Sequence, residues 1–223
     1  MGKGIVATID GPAGAGKSTV ARMLAKRLSL LYLDTGALYR AVAFLAIEDG
    51  LSLDDETALG SLCEKIKIEI LTDDLTTRVI VDGADISAKI RTEEVSLAAS
   101  KVSAYSMVRK ALLHFQRAIG ERGGIVAEGR DMGTVVFPDA DFKFFLDADM
   151  SERAKRRYHE LCDRAETVDL AGLEKDIMCR DRQDREREIA PLKPAPEAII
   201  IDSTDIPAQL VVEKMVRAIA TRR

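Results

Sequence analysis

The amino-acid sequence predicts an α/β fold of three layers, in which helices cover both faces of a central parallel sheet of five strands. Five short, mainly apolar runs alternate along the chain with stretches of helical periodicity. Strands separated by helices in this way are typical of a parallel sheet. A segment that begins near residue 63 breaks the pattern, because its polar and apolar residues alternate at period two.

The sheet strands are predicted from apolar runs that suit burial on both faces, at 5–9, 31–33, 124–127, 142–146 and 198–201. Helices are predicted at 18–28, 37–48, 92–121 with a break near Ala104, from 151 onward, from about 173 to 188, and at 206–220. Ser151 is predicted to cap the helix that it begins, and a turn is predicted at 166–172. Three prolines, at 191, 194 and 196, are expected to end the helix before them.

A small antiparallel sheet is predicted between residues 63 and 91. Residues 65–70 alternate between Lys or Glu and Ile, residues 78–81 form a second apolar run, and Asp82-Gly83 is a turn pair. This pattern is typical of hairpin strands with one face in water. An antiparallel patch inside a parallel α/β chain indicates an inserted subdomain.

Composition restricts the classes of function that are possible. The chain has 223 residues and a formal net charge of −4, so a general nucleic-acid binder is not expected. Cys63, Cys162 and Cys179 form no CxxC pair, which favours reduced thiols over a zinc site. The first apolar run is ended by Asp10 and is too short for a signal peptide, and no run approaches the roughly 20 residues of a membrane span. A cytoplasmic protein is therefore expected.

Residues 11–18 read GPAGAGKS and match the phosphate-binding motif G-x-x-x-x-G-K-[ST] in full. The motif follows a predicted buried strand and opens a predicted helix, which is the context that its chemistry requires. Glycines let backbone N–H groups surround phosphate oxygens, and the helix N-terminus adds partial positive charge. Lys17 is expected to reach the β- and γ-phosphates, and the Ser18 hydroxyl to help hold Mg²⁺. The motif does not identify the acceptor of the phosphoryl group.

Two loops at the ends of predicted strands carry candidate acceptor ligands. Ligands of parallel α/β sheets lie beyond the carboxyl ends of the strands, so both loops should adjoin the phosphate loop. In the first loop, Asp34 can accept a hydrogen bond, Tyr39 offers a ring and a hydroxyl, and Arg40 can bind a phosphate. In the second, Arg130 and Asp131 lie between glycines. A helix cap with a solvated arginine, and a turn with a surface ion pair, are the alternative interpretations.

Arginines in the predicted helices are the remaining candidates. Arg180, Asp184 and Arg187 fall on one helical face and could clamp phosphates, although a solvent-exposed, salt-bridged helix has the same pattern. Arg109 could be another phosphate ligand or a solvated side chain. The further arginines at 153, 156 and 157 are interpreted as solvated unless a lid brings them over ATP.

Taken together, GPAGAGKST, LDTGALYR, the antiparallel insert, EGRDMGTVVFPDA and RDRQDRER resemble the bacterial cytidylate kinase family over nearly the whole chain. The resemblance implies a P-loop NTPase-type core at 1–62, 92–149 and 173–223, an insert at 63–91 that enlarges the monophosphate site, and a short helical lid at 150–172. It also implies ATP as donor, Mg²⁺ as cofactor and CMP or dCMP as acceptor. We expect a monomer that binds neither nucleic-acid polymers nor membranes.

The resemblance assigns a role to each matching residue. The ATP phosphate loop is implied to comprise Gly11, Pro12, Ala13, Gly14, Ala15, Gly16, Lys17, Ser18 and Thr19, with Ser18 as metal ligand. The acceptor site is implied to comprise Asp34, Thr35, Tyr39, Arg40, Ser100, Arg109, Arg130, Asp131, Arg180, Asp184 and Arg187. Lys17, Arg40, Arg130 and Asp131 are the candidates for catalytic roles. Position 35 is Thr where the family often has Ser, and the hydroxyl is retained.

Phosphoryl transfer depends mainly on positioning and charge stabilisation, so no covalent nucleophile or strong general base is expected. Arg153 and Arg157 are candidates for lid arginines that cover the transferring group. Two alternatives remain open at this point. One is a P-loop kinase for another small acceptor, such as shikimate or pantothenate, which the number of arginines and the insert disfavour. The other is a nucleotide-dependent switch, although the chain has no NKxD sequence.

Overall fold

The computed structural model describes residues 4–72, 77–163 and 169–221. Its strands and helices follow one another along the chain as β1 Val6–Asp10, α1 Lys17–Leu28, β2 Leu31–Asp34, α2 Thr35–Glu48, α3 Glu56–Lys65, β3 Ile68–Thr72, β4 Thr77–Val81, β5 Ala84–Asp85, α4 Glu93–Val102, α5 Ser106–Gly120, β6 Ile125–Gly129, β7 Phe142–Asp147, α6 Met150–Cys162, α7 Leu170–Glu186, β8 Ile199–Asp202 and α8 Ala208–Thr221. A π-helical turn, Met132–Val136, follows β6. None of the described helices combines the length and apolar character that crossing a bilayer would take.

The central sheet confirms the predicted fold class. Its five strands are all parallel and lie in the order β2-β6-β1-β7-β8. Asp10 of β1 is in register with Gly129 of β6, and Asp34 of β2 with Glu128. The carboxyl ends of β1, β2 and β6 therefore meet at one edge, where the loops that carry the predicted site residues begin.

Successive residues of the central strands face opposite layers, as expected for strands buried on both sides. Ala7 and Ile9 of β1 pack with residues of α1 and α8, including Leu24 and Met215. Val6 packs with the opposite layer, which includes residues of the π-helical turn. Helices thus cover both faces, and the two apolar layers fix the position of the strand ends between them.

The predicted antiparallel insert is present as β3, β4 and β5, paired in that order. Its predicted start was wrong, because residues 63–65 belong to α3, a helix that the sequence analysis missed. Asp55 caps this helix by accepting a hydrogen bond from the Ala58 N–H, and Leu59 and Leu62 are buried. The alternating pattern of residues 65–70 begins at the last residue of the helix, so the sequence did not show where the helix ends. The division of the chain into core, insert and lid stays a prediction.

Two boundaries near the predicted lid were also wrong. Helix α6 begins at Met150 after Asp149, so Ser151 lies inside the helix and does not cap it. Helix α7 begins at Leu170, because the Asp169 side chain accepts a hydrogen bond from the Gly172 N–H at 2.9 Å. Residues 170–172 are therefore helical, and residues 164–168 of the predicted turn lie outside the described residues.

Candidate active site

The loop between β1 and α1 takes a course that requires glycine. Gly11 has φ +152°, and a Cβ there would lie 2.0 Å from the Leu146 carbonyl oxygen. Gly14 has φ +74°, and a Cβ there would lie 2.9 Å from both Cβ and the carbonyl oxygen of Arg153. Both positions therefore combine a strained φ with a close neighbour, so the loop packs tightly between β7 and α6.

Lys17 begins α1 and is buried against the phosphate loop. Its Nζ donates a hydrogen bond to the Pro12 carbonyl oxygen at 2.6 Å. Burial, with the neighbouring Arg130 guanidinium, lowers the pKa of Lys17 to about 7. A phosphate bound in the loop would favour the charged ammonium and oppose this shift. Lys17 is thus poised to respond to a bound phosphate.

A cavity opens at the carboxyl edge of the sheet beside the phosphate loop, and we call it the acceptor cavity. All the residues predicted for the acceptor site line it, together with Lys17 and Ser18: Asp34, Thr35, Tyr39, Arg40, Ser100, Arg109, Arg130, Asp131, Arg180, Asp184 and Arg187. They come from β2, α2, α4, α5, the loop after β6, and α7 with the residue that follows it. The structure therefore gathers in one place residues that are widely separated in the sequence.

Ion pairs of alternating sign run along the wall of the acceptor cavity. Arg109 pairs with Asp131, which also lies 3.6 Å from Arg187. Arg187 lies 3.9 Å from Asp184, which in turn accepts a 2.7 Å hydrogen bond from Arg130 Nε. The side chains of Arg109, Arg187 and Asp184 are at most 8% exposed, so the alternative of solvated surface pairs does not hold. Buried carboxylates hold these guanidinium groups in fixed orientations.

The two aspartates of this chain respond differently to their surroundings. Burial raises the pKa of Asp131 in spite of the two arginines beside it. Burial is the largest single influence on Asp184 and opposes its charge, but Arg130, Arg187 and Arg180 together outweigh it and the pKa of Asp184 is lowered. Asp184 is therefore ionised over the neutral range and is a firm anchor for Arg130.

A second set of ion pairs joins the acceptor cavity to α6. Glu93 of α4 lies 3.4 Å from Arg180 and 2.7 Å from Arg157. Arg157 also pairs with Glu160 on its own helix at 2.9 Å. Arg157 was interpreted as solvated unless a lid brings it over ATP; in the structure it is mainly buried and paired, and its place in a lid stays a prediction. It belongs to α6 and links this helix to Glu93 of the acceptor-site helix α4.

The predicted loop after β2 is absent, because β2 ends at Asp34 and α2 begins at Thr35; the end of β2 and the first turns of α2 hold the other predicted ligands. Asp34 caps α2 by accepting a hydrogen bond from the Ala37 N–H at 3.0 Å, and its second oxygen accepts one from Arg40 at 2.8 Å. Burial opposes the charge of Asp34, yet Arg40 and the Ala37 N–H together lower its pKa. The Thr35 hydroxyl donates to the Glu128 carbonyl oxygen at 2.7 Å. The helix-cap interpretation of Asp34 and its role in orienting Arg40 are thus both present.

Serines of α4 and the serine that directly follows it form another part of the wall. Ser96, Ser100 and Ser103 line the cavity. Ser100 Oγ donates to Gln183 Oε1 at 3.1 Å, and Ser103 Oγ accepts from Arg187 Nη1 at 3.2 Å. Arg187 was predicted to lie on the helical face of α7, but its ψ of 139° places it just past the end of that helix. This extended conformation turns it toward α4.

A second cleft, here named the donor cleft, lies on the other side of the phosphate loop. It is lined by residues 14–20, by α6 and by the loop between β8 and α8. Arg156 crosses it and donates hydrogen bonds to the Ser203 and Thr204 carbonyl oxygens at 2.6 and 3.1 Å. Lys17 and Ser18 line both the donor cleft and the acceptor cavity. The two spaces therefore meet at the residues that are predicted to bind phosphate.

Comparison with known proteins identifies the family. The family model of cytidylate kinase matches residues 7–221. The chain belongs to the cytidylate kinase family. A cytidylate kinase of Citrifermentans bemidjiense is 48% identical over 219 residues, covering 98% of this chain and 94% of its own. A cytidylate kinase of Methylococcus capsulatus is 49% identical over 208 residues, covering 93% of both chains.

Similar solved structures agree on the fold alone. A protein of Eubacterium ventriosum described as uncharacterized has a TM-score of 0.52 at 12% identity and covers 97% of this chain and 98% of its own. Shikimate kinase from Bacteroides thetaiotaomicron has a TM-score of 0.51 at 9% identity, with the same coverage. The resemblance that the sequence motifs carried is confirmed at the level of family and fold. The roles of the individual site residues stay predictions.

Three buried charged residues at this site of the cytidylate kinase fold were not among the predicted site residues. Asp10 accepts hydrogen bonds from the Met132 and Gly133 N–H groups, both at 2.8 Å, and so holds the loop that carries Arg130. Glu128 lines the acceptor cavity and accepts a short hydrogen bond from the Tyr32 hydroxyl. The third is Arg153, which was interpreted as solvated unless a lid brings it over ATP. It is 4% exposed and lines neither the acceptor cavity nor the donor cleft, so it is not solvated and does not contact either space. The acids at strand ends were a usable signal, because such ends face the site.

Proposed function

We propose that this chain transfers the γ-phosphoryl group of ATP to CMP or dCMP and so forms ADP with CDP or dCDP. The single observation that carries this proposal is the acceptor cavity, in which eight arginines, among them the five predicted for the acceptor site, line a space that opens directly onto the phosphate loop. Membership of the cytidylate kinase family supports the same activity. An anion held among buried arginines, next to a site for ATP, is the arrangement that a nucleoside monophosphate kinase requires.

The arginines of the acceptor cavity would bind the monophosphate of the acceptor. Arg40 lies in α2 and Arg130 in the loop after β6, and each pairs with a carboxylate, Asp34 or Asp184 respectively. Guanidinium groups bind phosphate oxygens bidentately, and a fixed guanidinium loses little freedom when it does so. The hydroxyl and carboxylate groups deeper in the cavity would satisfy the base and the ribose, which leaves a poorly matched base with unpaired polar groups.

Transfer requires an acceptor phosphate oxygen to attack the γ-phosphorus while the bond to the β-phosphate oxygen of ADP breaks. The attacking oxygen is already anionic, so no base need remove a proton. Lys17 lies where the two spaces meet and would stabilise the charge on the β- and γ-phosphates as it moves. Arg157 lines both spaces and could shield the transferring group from water.

Mg²⁺ is the cofactor that this chemistry implies, and the residues present fit it. The Ser18 side chain lines both spaces beside Lys17. Glu128 lines the acceptor cavity, where burial raises the pKa of its carboxyl and the nearby Ser18 side chain opposes that rise. Mg²⁺ prefers oxygen ligands and is commonly held by few protein groups together with substrate phosphates. Ser18 would hold the ion directly through its hydroxyl, with Glu128 nearby. When bound, the ion supplies charge neutralisation to the phosphates.

The proposal is tested by an assay of ADP formation with Mg²⁺-ATP and each of CMP, dCMP, UMP, AMP and GMP. Wild type is compared with Arg130→Ala and with Arg217→Ala, which removes an exposed arginine from α8. We expect turnover with CMP and dCMP far above that with AMP and GMP, lost in Arg130→Ala and kept in Arg217→Ala.

Each other outcome has a defined meaning. Equal rates with UMP would widen the acceptor to pyrimidine monophosphates. Turnover with shikimate or pantothenate but with no monophosphate would refute the acceptor assignment, and nucleotide hydrolysis without any acceptor would refute the kinase assignment. The monomeric state and the cytoplasmic location that were expected from the sequence stay predictions.

A further inference from the structure

Arg153 of α6 makes contacts that neither substrate site explains. Its side chain is buried, and it lines neither the acceptor cavity nor the donor cleft. An arginine is seldom buried unless its charge is paired, so the partners of Arg153 show which parts of the fold it connects. The partners belong to three separate parts of the fold.

The first partner is the phosphate loop. Arg153 Nη1 donates a hydrogen bond to the Ala13 carbonyl oxygen at 2.9 Å. The absence of a side chain at Gly14 lets α6 approach the loop, because a Cβ there would lie 2.9 Å from the Arg153 backbone oxygen. Arg153 Nε donates to the Ala148 carbonyl oxygen, also at 2.9 Å, which ties the guanidinium to the end of β7.

The second partner is the helix of the acceptor site. Arg153 Nη2 lies 2.7 Å from Asp181 Oδ2, and both side chains are less than a tenth exposed. Asp181 belongs to α7, next to Arg180 and less than one turn before Asp184, which line the acceptor cavity. One guanidinium therefore contacts both the loop that would hold ATP and the helix that would hold the acceptor.

We infer that Arg153 is a positioning residue that fixes the phosphate loop relative to α7, and so aligns donor and acceptor for in-line transfer. This inference rests on the proposed function. A planar guanidinium with its donors in a fixed fork can hold three partners at set distances, whereas a lysine ammonium cannot reach all of them. A misplacement of about 1 Å between reacting groups can lower a rate roughly 100-fold.

The test compares kcat and KM in Arg153→Lys, which keeps the charge but not the fork. Loss of the fork should misalign donor and acceptor, so we expect kcat at saturating ATP and CMP to fall roughly 10- to 100-fold. Arg153 lines neither substrate space, so its loss should not affect substrate binding directly. Both KM values should stay within about threefold of wild type, because the residues that contact the substrates are unchanged. Asp181→Asn, which keeps the shape of the side chain, should show a loss of the same kind, and the double variant should be no worse than the more severe single variant.

A matched control separates positioning from stability. Met215 is fully buried in α8 and lines neither substrate space, so Met215→Ala destabilises the core without touching the site. At a temperature where all variants are folded by circular dichroism, Met215→Ala should keep the wild-type kcat. If Arg153→Lys does not fold, the same comparison of kcat and KM is made with Asp181→Asn alone.

Three results would overturn the inference. The first is a kcat within threefold of wild type in both Arg153→Lys and Asp181→Asn. The second is a loss that Met215→Ala reproduces in proportion to its lower melting temperature, and the third is a change confined to KM. A wild-type chain that shows no acceptor-dependent turnover would instead refute the proposed function, and the inference with it.

Discussion

Replacing Asp184 by Asn tests whether the buried carboxylates make the arginines of the acceptor cavity effective. Asp184 accepts a 2.7 Å hydrogen bond from Arg130 Nε and lies 3.9 Å from Arg187. Its side chain is 6% exposed, so solvent cannot replace the lost charge. The variant keeps the size of the side chain and one acceptor oxygen, and it removes the negative charge.

The expected magnitude follows from this geometry. A hydrogen bond between charged partners contributes about 1.5–3 kcal/mol, and about 1.4 kcal/mol corresponds to a factor of ten. If Arg130 loses that anchor, kcat/KM for CMP should fall roughly 10- to 150-fold. Asp184 lines the acceptor cavity and is absent from the lining of the donor cleft, so KM for ATP should stay within about threefold.

The assay is steady-state ADP formation, with CMP varied at saturating Mg²⁺-ATP and then ATP varied at saturating CMP. Arg217→Ala is the surface control, and thermal unfolding checks that each variant is folded at the assay temperature. The reasoning would be refuted if kcat/KM for CMP changed less than threefold. It would also be refuted if the two substrates were affected equally, because the effect would then not be specific to the acceptor cavity.

Three further predictions use the phosphate loop and β1. Gly14→Ala should raise KM for ATP and destabilise the fold by more than Gly83→Ala. Both glycines have positive φ, but only Gly14 of the two has neighbours within 4 Å of the added Cβ. Equal effects of the two substitutions would mean that φ strain alone matters. Lys17→Met should lower kcat at least roughly 100-fold with the fold intact by circular dichroism, and a smaller loss would remove Lys17 from the transfer step. Burial raises the pKa of Asp10 from 3.8 to about 6, so the native state binds its proton more tightly and the free energy of unfolding should fall by up to about 3 kcal/mol as pH rises through that range. Urea unfolding between pH 4 and 8 should show that fall in wild type and not in Asp10→Asn, and parallel curves would contradict it.

The parallel five-stranded sheet and the place of the site could be predicted because local signals were unambiguous. The motif at 11–18 fixed the first strand, loop and helix, and parallel strands bring their carboxyl ends to one edge. That rule placed Asp34 and Arg130 beside the phosphate loop although 96 residues separate them. The end of helix α3 was hidden because its last residue, Lys65, begins the period-two pattern of the strand after it.

Burial of charged residues could not be predicted in the same way. Arg153, Arg156 and Arg157 lie in a charged helix whose pattern equally suits a solvated face. Arg153 pairs with Asp181 on another helix, and the spacing of residues within one helix does not predict a contact with another. Asp10 was interpreted as the end of an apolar run, whereas its carboxylate organises a loop more than 100 residues away in the sequence.

Shared carboxylates explain how so many arginines can be buried around one cavity. Asp131 lies between Arg109 and Arg187, Asp184 lies within 4 Å of Arg130 and Arg187, and Glu93 lies between Arg157 and Arg180. Each of these three carboxylates serves two guanidinium groups. With Glu160, which also pairs with Arg157, the five arginines have four acidic partners, so a net positive charge remains. Full pairing would cancel the attraction for a substrate, and no pairing would make burial of the arginines too costly. The phosphate of a nucleoside monophosphate, with its charge of about −1.5 to −2, would neutralise the positive charge that remains around the cavity.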